Sequence, residues 1–247
     1  MFPILLTIGE FEVDSYYVLY VIGVIVGVII GWRVARSLGY GNKRILLYFS
    51  ILIPLALAAG LINGMLFSRL FYVSFQYGQL ILGGGIVSYG VVLTAFAVTA
   101  IFSRVYCTPV ASDLDGTALV LPIMLAIFRI GCFLNGCCYG RVTDGLGGIY
   151  LPNIYGEWAL RYPTQILLLV LDIALALGLW LRWRKSSSGD LVVAFVFWFG
   201  LGRLAIDSLR NLPAVVGPFS LHVIADSLFV LAGVGLMIWR RLKSRKG

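Results

Sequence analysis

Histidine occurs once in this 247-residue chain, at His222, so no multi-histidine metal centre can form. Charged residues make up only 12% of the sequence, too few to cover a soluble globular domain. The four cysteines, Cys107, Cys132, Cys137 and Cys138, are too few and too unevenly spaced for a disulfide framework. Adjacent cysteines such as Cys137 and Cys138 rarely bridge each other, because the geometry is strained. No nucleotide-binding glycine loop, serine-hydrolase elbow or zincin motif stands where it could work, and Gly83-Gly84-Gly85 does not match a dinucleotide fingerprint. His222 with Cys132, Cys137 and Cys138 makes only a weak zinc set, and no metal and no cofactor are expected. Tandem repeats, linkers and low-complexity tracts are missing too, so residues 1–247 are expected to form a single domain.

What is present is apolar. Hydrophobic residues account for 60% of positions and the mean hydropathy is +0.97, values that call for a lipid solvent. A spanning helix needs about 20 apolar residues, because each backbone amide must be satisfied within its own segment. Runs of this kind lie at about 16–32, 45–66, 82–102, 117–134, 164–181, 191–207 and 219–239. The expectation is an all-α integral membrane protein with about seven transmembrane helices. The first run lacks a basic leader and a small-residue cleavage site, so it reads as a retained helix. Of the 19 Lys and Arg residues, 13 fall in four alternate segments: Arg33 to Arg44, Arg104, Arg182 to Lys185 and Arg240 to Lys246. The positive-inside rule then puts the N-terminus outside and the C-terminus in the cytoplasm. Basic loops beside spanning helices meet anionic lipid heads and form no stripe for a duplex, so the net charge of +8 implies no nucleic-acid partner.

The irregular segments point to the outer face. Gly83, Gly84 and Gly85 at membrane depth mean either close helix packing or broken backbone lining a cavity. The loop at about 135–163, with its glycines, Pro152, Trp158, Arg161 and Pro163, reads as an arm or lid on the membrane surface.

Charge at bilayer depth is costly, so it usually faces a cavity or a partner. Arg129, in AIFRIGCFLNGCCYGR, is either a bidentate phosphate ligand or an arginine snorkelling to the interface. Arg203, Asp207 and Arg210 recur at i, i+4 and i+7 on one helix face, forming either a headgroup site or a structural ion pair. Asp172, within ILLLVLDIALALGLWL, must be paired or protonated. His222 and Asp226 are read as the polar start of the last helix.

Several segments together resemble one family. RIGCFLNGCCYGRVTD at 129–144 is similar to the signature of the bacterial prolipoprotein diacylglyceryl transferases, approximately RIGNFINGELYGRPTD. SYYVLYVIG at 15–23 resembles the family's WYGLMYAIG, GGGIVSYG at 83–90 its GGMSFHGG, RYPTQ at 161–165 its RHPSQ, and GRLAIDSLR at 202–210 its GRFLVEFLR. Asp115 falls at the family's aspartate before the signature helix. Three positions depart from the pattern: Tyr89 replaces the histidine, Cys132 the first signature asparagine and Cys137 the glutamate.

The resemblance implies transfer of the diacylglyceryl group from phosphatidylglycerol to the lipobox cysteine of a secreted preprotein, releasing glycerol phosphate, in a multi-pass protein of the bacterial inner membrane. The alternatives are a related lipid transferase with another acceptor, or a phospholipid-binding protein of the same fold. Carried over by position, Arg129 and Arg203 would hold the phosphate, with Tyr89 at the place of the family's base. Tyr16, Tyr20, Asn135, Gly136, Gly140, Arg141, Asp115, Asp172, Asp207 and Arg210 would shape the substrate site. The expected partners are an anionic phospholipid and a lipobox preprotein, and a monomer is expected.

Overall fold

The computed structural model describes residues 4–8, 11–70, 86–153, 155–210, 212 and 220–244. The glycine triplet 83–85 and the segment before it lie outside the described residues. Seven helices carry the rest: α1 (Ser15–Ser37), α2 (Asn42–Leu70), α3 (Ile86–Val105), α4 (Val110–Asn135), α5 (Thr164–Arg182), α6 (Asp190–Asp207) and α7 (Leu221–Ser244). Six of them are long and apolar enough to cross a membrane. The seventh, α6, has 18 residues and includes Asp190, Arg203 and Asp207, of which Arg203 and Asp207 are buried in the bundle.

The chain is a multi-pass membrane protein whose burial is inverted relative to a soluble fold. On α5, Leu167, Val170, Ile173, Leu177 and Leu181 are exposed and recur every three or four residues, an apolar stripe suited to lipid. The inner core joins Tyr89 and Val92 of α3, Leu119 and Leu125 of α4, Leu175 and Leu179 of α5, and Phe195 and Phe199 of α6. The two phenylalanine rings stack with centroids 5.0 Å apart.

Small residues set the closest approaches, since apolar helices in lipid gain little from burying more apolar surface. A Cβ at Gly27 of α1 would lie 2.3 Å from the Met124 sulfur of α4. A Cβ at Gly200 of α6 would lie 2.7 Å from Phe229 Cβ and 2.8 Å from the Val230 nitrogen of α7. That contact holds α7 where Asp226 can face α6.

Helix α4 starts at Val110, several residues before the apolar run suggests, because two aspartates in its first turns are satisfied by neighbours. Asp113 accepts hydrogen bonds from the hydroxyls of Ser103 (2.6 Å), Thr108 (2.7 Å) and Tyr40. Asp115 accepts the backbone N–H groups of Gly189 and Val192 (2.8 Å), capping the start of α6. At the same end Arg240 of α7 reaches Asp190 at 2.7 Å, and Arg44 reaches Thr108 at 3.2 Å. The basic segments therefore meet at one end of the bundle.

The bundle is all-helical, as expected, and short strands accompany it. Two short antiparallel hairpins accompany the helices: β1 (Ile4–Ile8) with β2 (Phe11–Asp14), and β3 (Ile149–Pro152) with β4 (Trp158–Arg161). The second lies inside the 135–163 arm. Its turn is organised by Asn153, whose side-chain oxygen accepts the N–H groups of Tyr155 and Glu157, both at 3.0 Å, with Gly156 left-handed at φ 79°.

Gly200→Val is expected to wedge α6 from α7 and cost about 1–3 kcal/mol. Gly178→Ala, which meets nothing within 4 Å, is expected to be neutral. Thermal unfolding of both variants in lipid nanodiscs checks the pair.

Candidate functional site

The end of the bundle opposite the basic segments holds most of the buried charge. Arg129 on α4 is 2% exposed and faces Asp172 on α5, with Nε 3.5 Å from Oδ2. That separation is an ion pair but too long for a hydrogen bond. Arg129 Nε and Nη2 have no hydrogen-bond partner among the described residues. Both residues stand out in the sequence, but their pairing crosses two helices and leaves no trace in spacing.

Arg203 on α6 is fully buried and held by three elements. Its Nη2 donates to Asp207 at 3.0 Å, its Nε donates to the Tyr89 hydroxyl of α3 at 2.9 Å, and Asp226 of α7 lies 3.4 Å from Nε. The guanidinium carbon also sits 4.6 Å from the Tyr89 ring centroid. Tyr89 in turn donates its proton to Asp226. Asp207 takes a second cation, Arg210, at 3.1 Å. The i, i+4, i+7 stack thus exists, and its members are bonded to one another. Arg203 Nη1 and Arg210 Nε remain without hydrogen-bond partners among the described residues. Arg129 interacts electrostatically with both Arg203 and Asp172, so the two halves form one cluster of three arginines and three aspartates.

A small cavity opens beside Arg129, lined by Tyr16, Tyr20, Ser88, Val91, Leu125, Phe128 and Cys132. Tyr20 stacks on Phe128 with centroids 4.3 Å apart, which fixes one wall. Tyr20 and Val91 also line a second, half-open and almost wholly apolar groove of about 140 Å³, running between α1, α2, α3 and α4 down to Tyr40 and Arg44.

The signature turn is built by glycine and by the arm. Helix α4 stops after Asn135 because Gly136 is left-handed at φ 74°. Gly140 pairs with Arg210 in an isolated antiparallel bridge, and a Cβ there would lie 2.2 Å from the Tyr162 carbonyl oxygen. The Arg141 N–H donates to the Leu209 carbonyl at 2.9 Å, while its exposed guanidinium lies 5.7 Å from the Tyr162 ring. Gln165 and Thr164, the end of RYPTQ, donate to the carbonyls of Cys137 (2.9 Å) and Cys138 (2.8 Å). Contacts from the Cys132 and Cys137 thiols, then the Arg210 and Arg129 charges, hold the Cys138 thiol well below its usual range against the effect of burial.

Asp115 is corrected. It precedes Arg129 by 14 residues on one helix, roughly 21 Å along the axis at 1.5 Å per residue, and it caps α6 at the basic end. Both its carboxylate oxygens are engaged by backbone. Asp226 is the addition: the sequence reads it as a polar helix start, and it is fully buried against Arg203 and Tyr89. Its i+4 spacing from His222 inside an apolar run is the signal that points to it. Arg161, also buried, lies 5.1 Å from the Tyr139 ring.

The site is thus a cluster of paired charges inside an apolar bundle and beside an apolar groove, in a multi-pass membrane protein. The model of the family described as prolipoprotein diacylglyceryl transferase matches residues 3–239, and the chain belongs to that family. Among its relatives are proteins named phosphatidylglycerol-prolipoprotein diacylglyceryl transferase. The one from Streptococcus pneumoniae is 29% identical over 96% of this chain and 92% of its own length. That from Listeria innocua is 27% identical over 98% and 90%, and that from Streptococcus suis 27% over 99% and 94%.

Arg129→Gln leaves Asp172 as an unpaired buried charge and is expected to destabilise by about 3–5 kcal/mol. Adding Asp172→Asn is expected to restore most of the lost unfolding temperature. A double variant as unstable as the single one would show that the pair is not the interaction that matters.

Proposed function

We propose that this protein transfers the diacylglyceryl group of phosphatidylglycerol to the thiol of a lipobox cysteine on a secreted preprotein. The observation that carries the reading is the set of buried guanidinium N–H groups on Arg129 and Arg203 that have no hydrogen-bond partner among the described residues, with Arg129 lining a cavity that shares Tyr20 and Val91 with a larger apolar groove. A phosphodiester supplies the missing acceptors, and its acyl chains suit the channel between α1 and α4. Tyr16, Tyr20, Arg210 and Asp207 complete the site around the headgroup.

In this reading the thiol sulfur attacks the glyceryl carbon that bears the phosphate. A C–S bond forms, the C–O bond breaks, and glycerol phosphate leaves with the electron pair. Arg129 and Arg203 meet the charge that develops on the departing phosphate, so their effect is concentrated in the transition state. The thiol must also lose a proton. Tyr89 accepts from Arg203 and donates to Asp226, so its oxygen can take the thiol proton as its own proton passes to the carboxylate. This relay places the basic function on Asp226, with Tyr89 as the conduit.

The same reading assigns the charge asymmetry to orientation. The basic end faces the cytoplasm, the cluster lies near the outer leaflet of a bacterial cytoplasmic membrane, and the 135–163 arm lies over it. The signature turn, fixed by Gly136, Gly140 and the neighbouring Thr164 and Gln165, presents Asn135 at the rim.

Incubation of the purified protein in nanodiscs with labelled phosphatidylglycerol and a lipobox peptide is expected to give labelled thioether peptide and glycerol phosphate. Arg129→Lys and Arg203→Lys keep the charge but lose the planar fork, so turnover is expected to fall on the order of a hundredfold. Arg210→Gln is expected to be milder, and Tyr89→Phe to lose turnover while keeping lipid binding. Lipid retained without any transfer would overturn the transferase reading in favour of a binding protein.

A further inference from the structure

Apart from the arginine cluster, the densest gathering of reactive side chains is sulfur. The Sγ atoms of Cys132, Cys137 and Cys138 all lie within 4.8 Å of one another, and all three are free thiols with at most 9% exposure. We propose that these three cysteines form a binding site for a thiophilic d10 cation, Zn2+ or Cu+, at the end of α4.

The local backbone is arranged for this convergence. Cys132 sits on the last turn of α4, and the left-handed Gly136 folds the following residues back over it. Cys138 is itself left-handed at φ 60°, a conformation that a residue with a Cβ rarely adopts. The surroundings enforce it: Gln165 and Thr164 hold the carbonyls of Cys137 and Cys138 from α5. Strain of this kind persists where a side chain has to be aimed. Here the aim is toward the other two thiols.

The chemistry selects the ion. Three thiolates at about 2.3 Å from one metal stand about 3.8–4.0 Å apart in tetrahedral or trigonal geometry, so thiols within 4.8 Å of one another need to close by no more than about an ångström. A donor set of sulfur alone disfavours magnesium and calcium, which take oxygen, and favours zinc or monovalent copper. Three thiolates leave a net negative site with either ion. Arg129 and Arg210 lie within electrostatic reach of Cys138 and compensate it. Burial keeps water from competing. Bound there, the ion would pin the turn that carries Gly140 to Arg210, at the wall of the cavity that Cys132 lines. Its role would be to fix the turn, with no part in the transfer chemistry.

The test uses full-length protein in nanodiscs, fully reduced and kept anaerobic. Titration with Co2+ as a spectroscopic stand-in is expected to give a thiolate-to-cobalt charge-transfer band saturating at one ion per chain. Zn2+ displacement and Cu+ competition against a chelator then decide between the two ions. Cys132→Ser, Cys137→Ser and Cys138→Ser should each weaken binding on the order of a hundredfold, while Cys107→Ser, at the exposed cysteine, should change nothing. Should a serine variant misfold, the wild-type protein still answers: metal must protect these three thiols from alkylation, as counted by mass, and leave Cys107 reactive. Absence of the band with no retention of Zn2+ or Cu+, unchanged binding in the triple serine variant, or a disulfide within the trio under reductant would overturn the proposal. Because none of these readouts is transfer activity, a negative result leaves the transferase reading untouched.

Discussion

Three arginines and three aspartates buried in an apolar bundle are the constraint on which the rest of this structure depends. An unpaired charge there costs several kcal/mol, so each must find an opposite charge. Arg129 of α4 takes Asp172 of α5, Arg203 of α6 takes Asp226 of α7, and Asp207 joins Arg203 to Arg210. At one end α4 is thereby tied to α5, and α6 to α7. Close glycine contacts such as Gly200 against Phe229 bring the carriers within reach.

The pairing is incomplete. Arg129 meets its aspartate at 3.5 Å with two nitrogens unbonded, and Arg203 keeps one nitrogen unbonded despite three partners. A balanced cluster that retains free donors can admit one more anion without rearranging, which is the preorganisation that makes electrostatic catalysis effective. The adjoining apolar void offers room for the chains such an anion would carry. At the opposite end, Asp113 and Asp115 are fully engaged by hydroxyls and backbone, and there the same residue type does nothing but hold the helices together.

Much of this is legible in the amino-acid sequence. The apolar runs locate the helices because length and hydropathy alone decide what can lie in lipid, and Arg129, Arg203 and Asp172 stand out as charges with no apolar alternative. Partnership is not legible. Asp172 can be known to need a cation, but only the packing of α4 on α5 says that it is Arg129. Asp115 misleads because its place before the signature helix fixes its order in the chain and not the end of the bundle it occupies. Asp226 is easily passed over since its position at the start of a run hides its burial behind α6. The hairpin of the arm leaves little signal because strands of four residues, set by the Asn153 turn, carry too little periodicity to stand out. The meeting of Cys132, Cys137 and Cys138 depends on one left-handed glycine, and no spacing rule encodes it.

The convergence of Arg129 and Arg203 on one phosphate is tested most directly by a structure of the protein with phosphatidylglycerol bound in nanodiscs. The expected result is a phosphate within hydrogen-bond distance of both guanidinium groups, with the acyl chains leading past Tyr20 into the channel between α1 and α4. A headgroup bound elsewhere, with the Arg129–Asp172 and Arg203–Asp226 pairs undisturbed and the cavity empty, would contradict it.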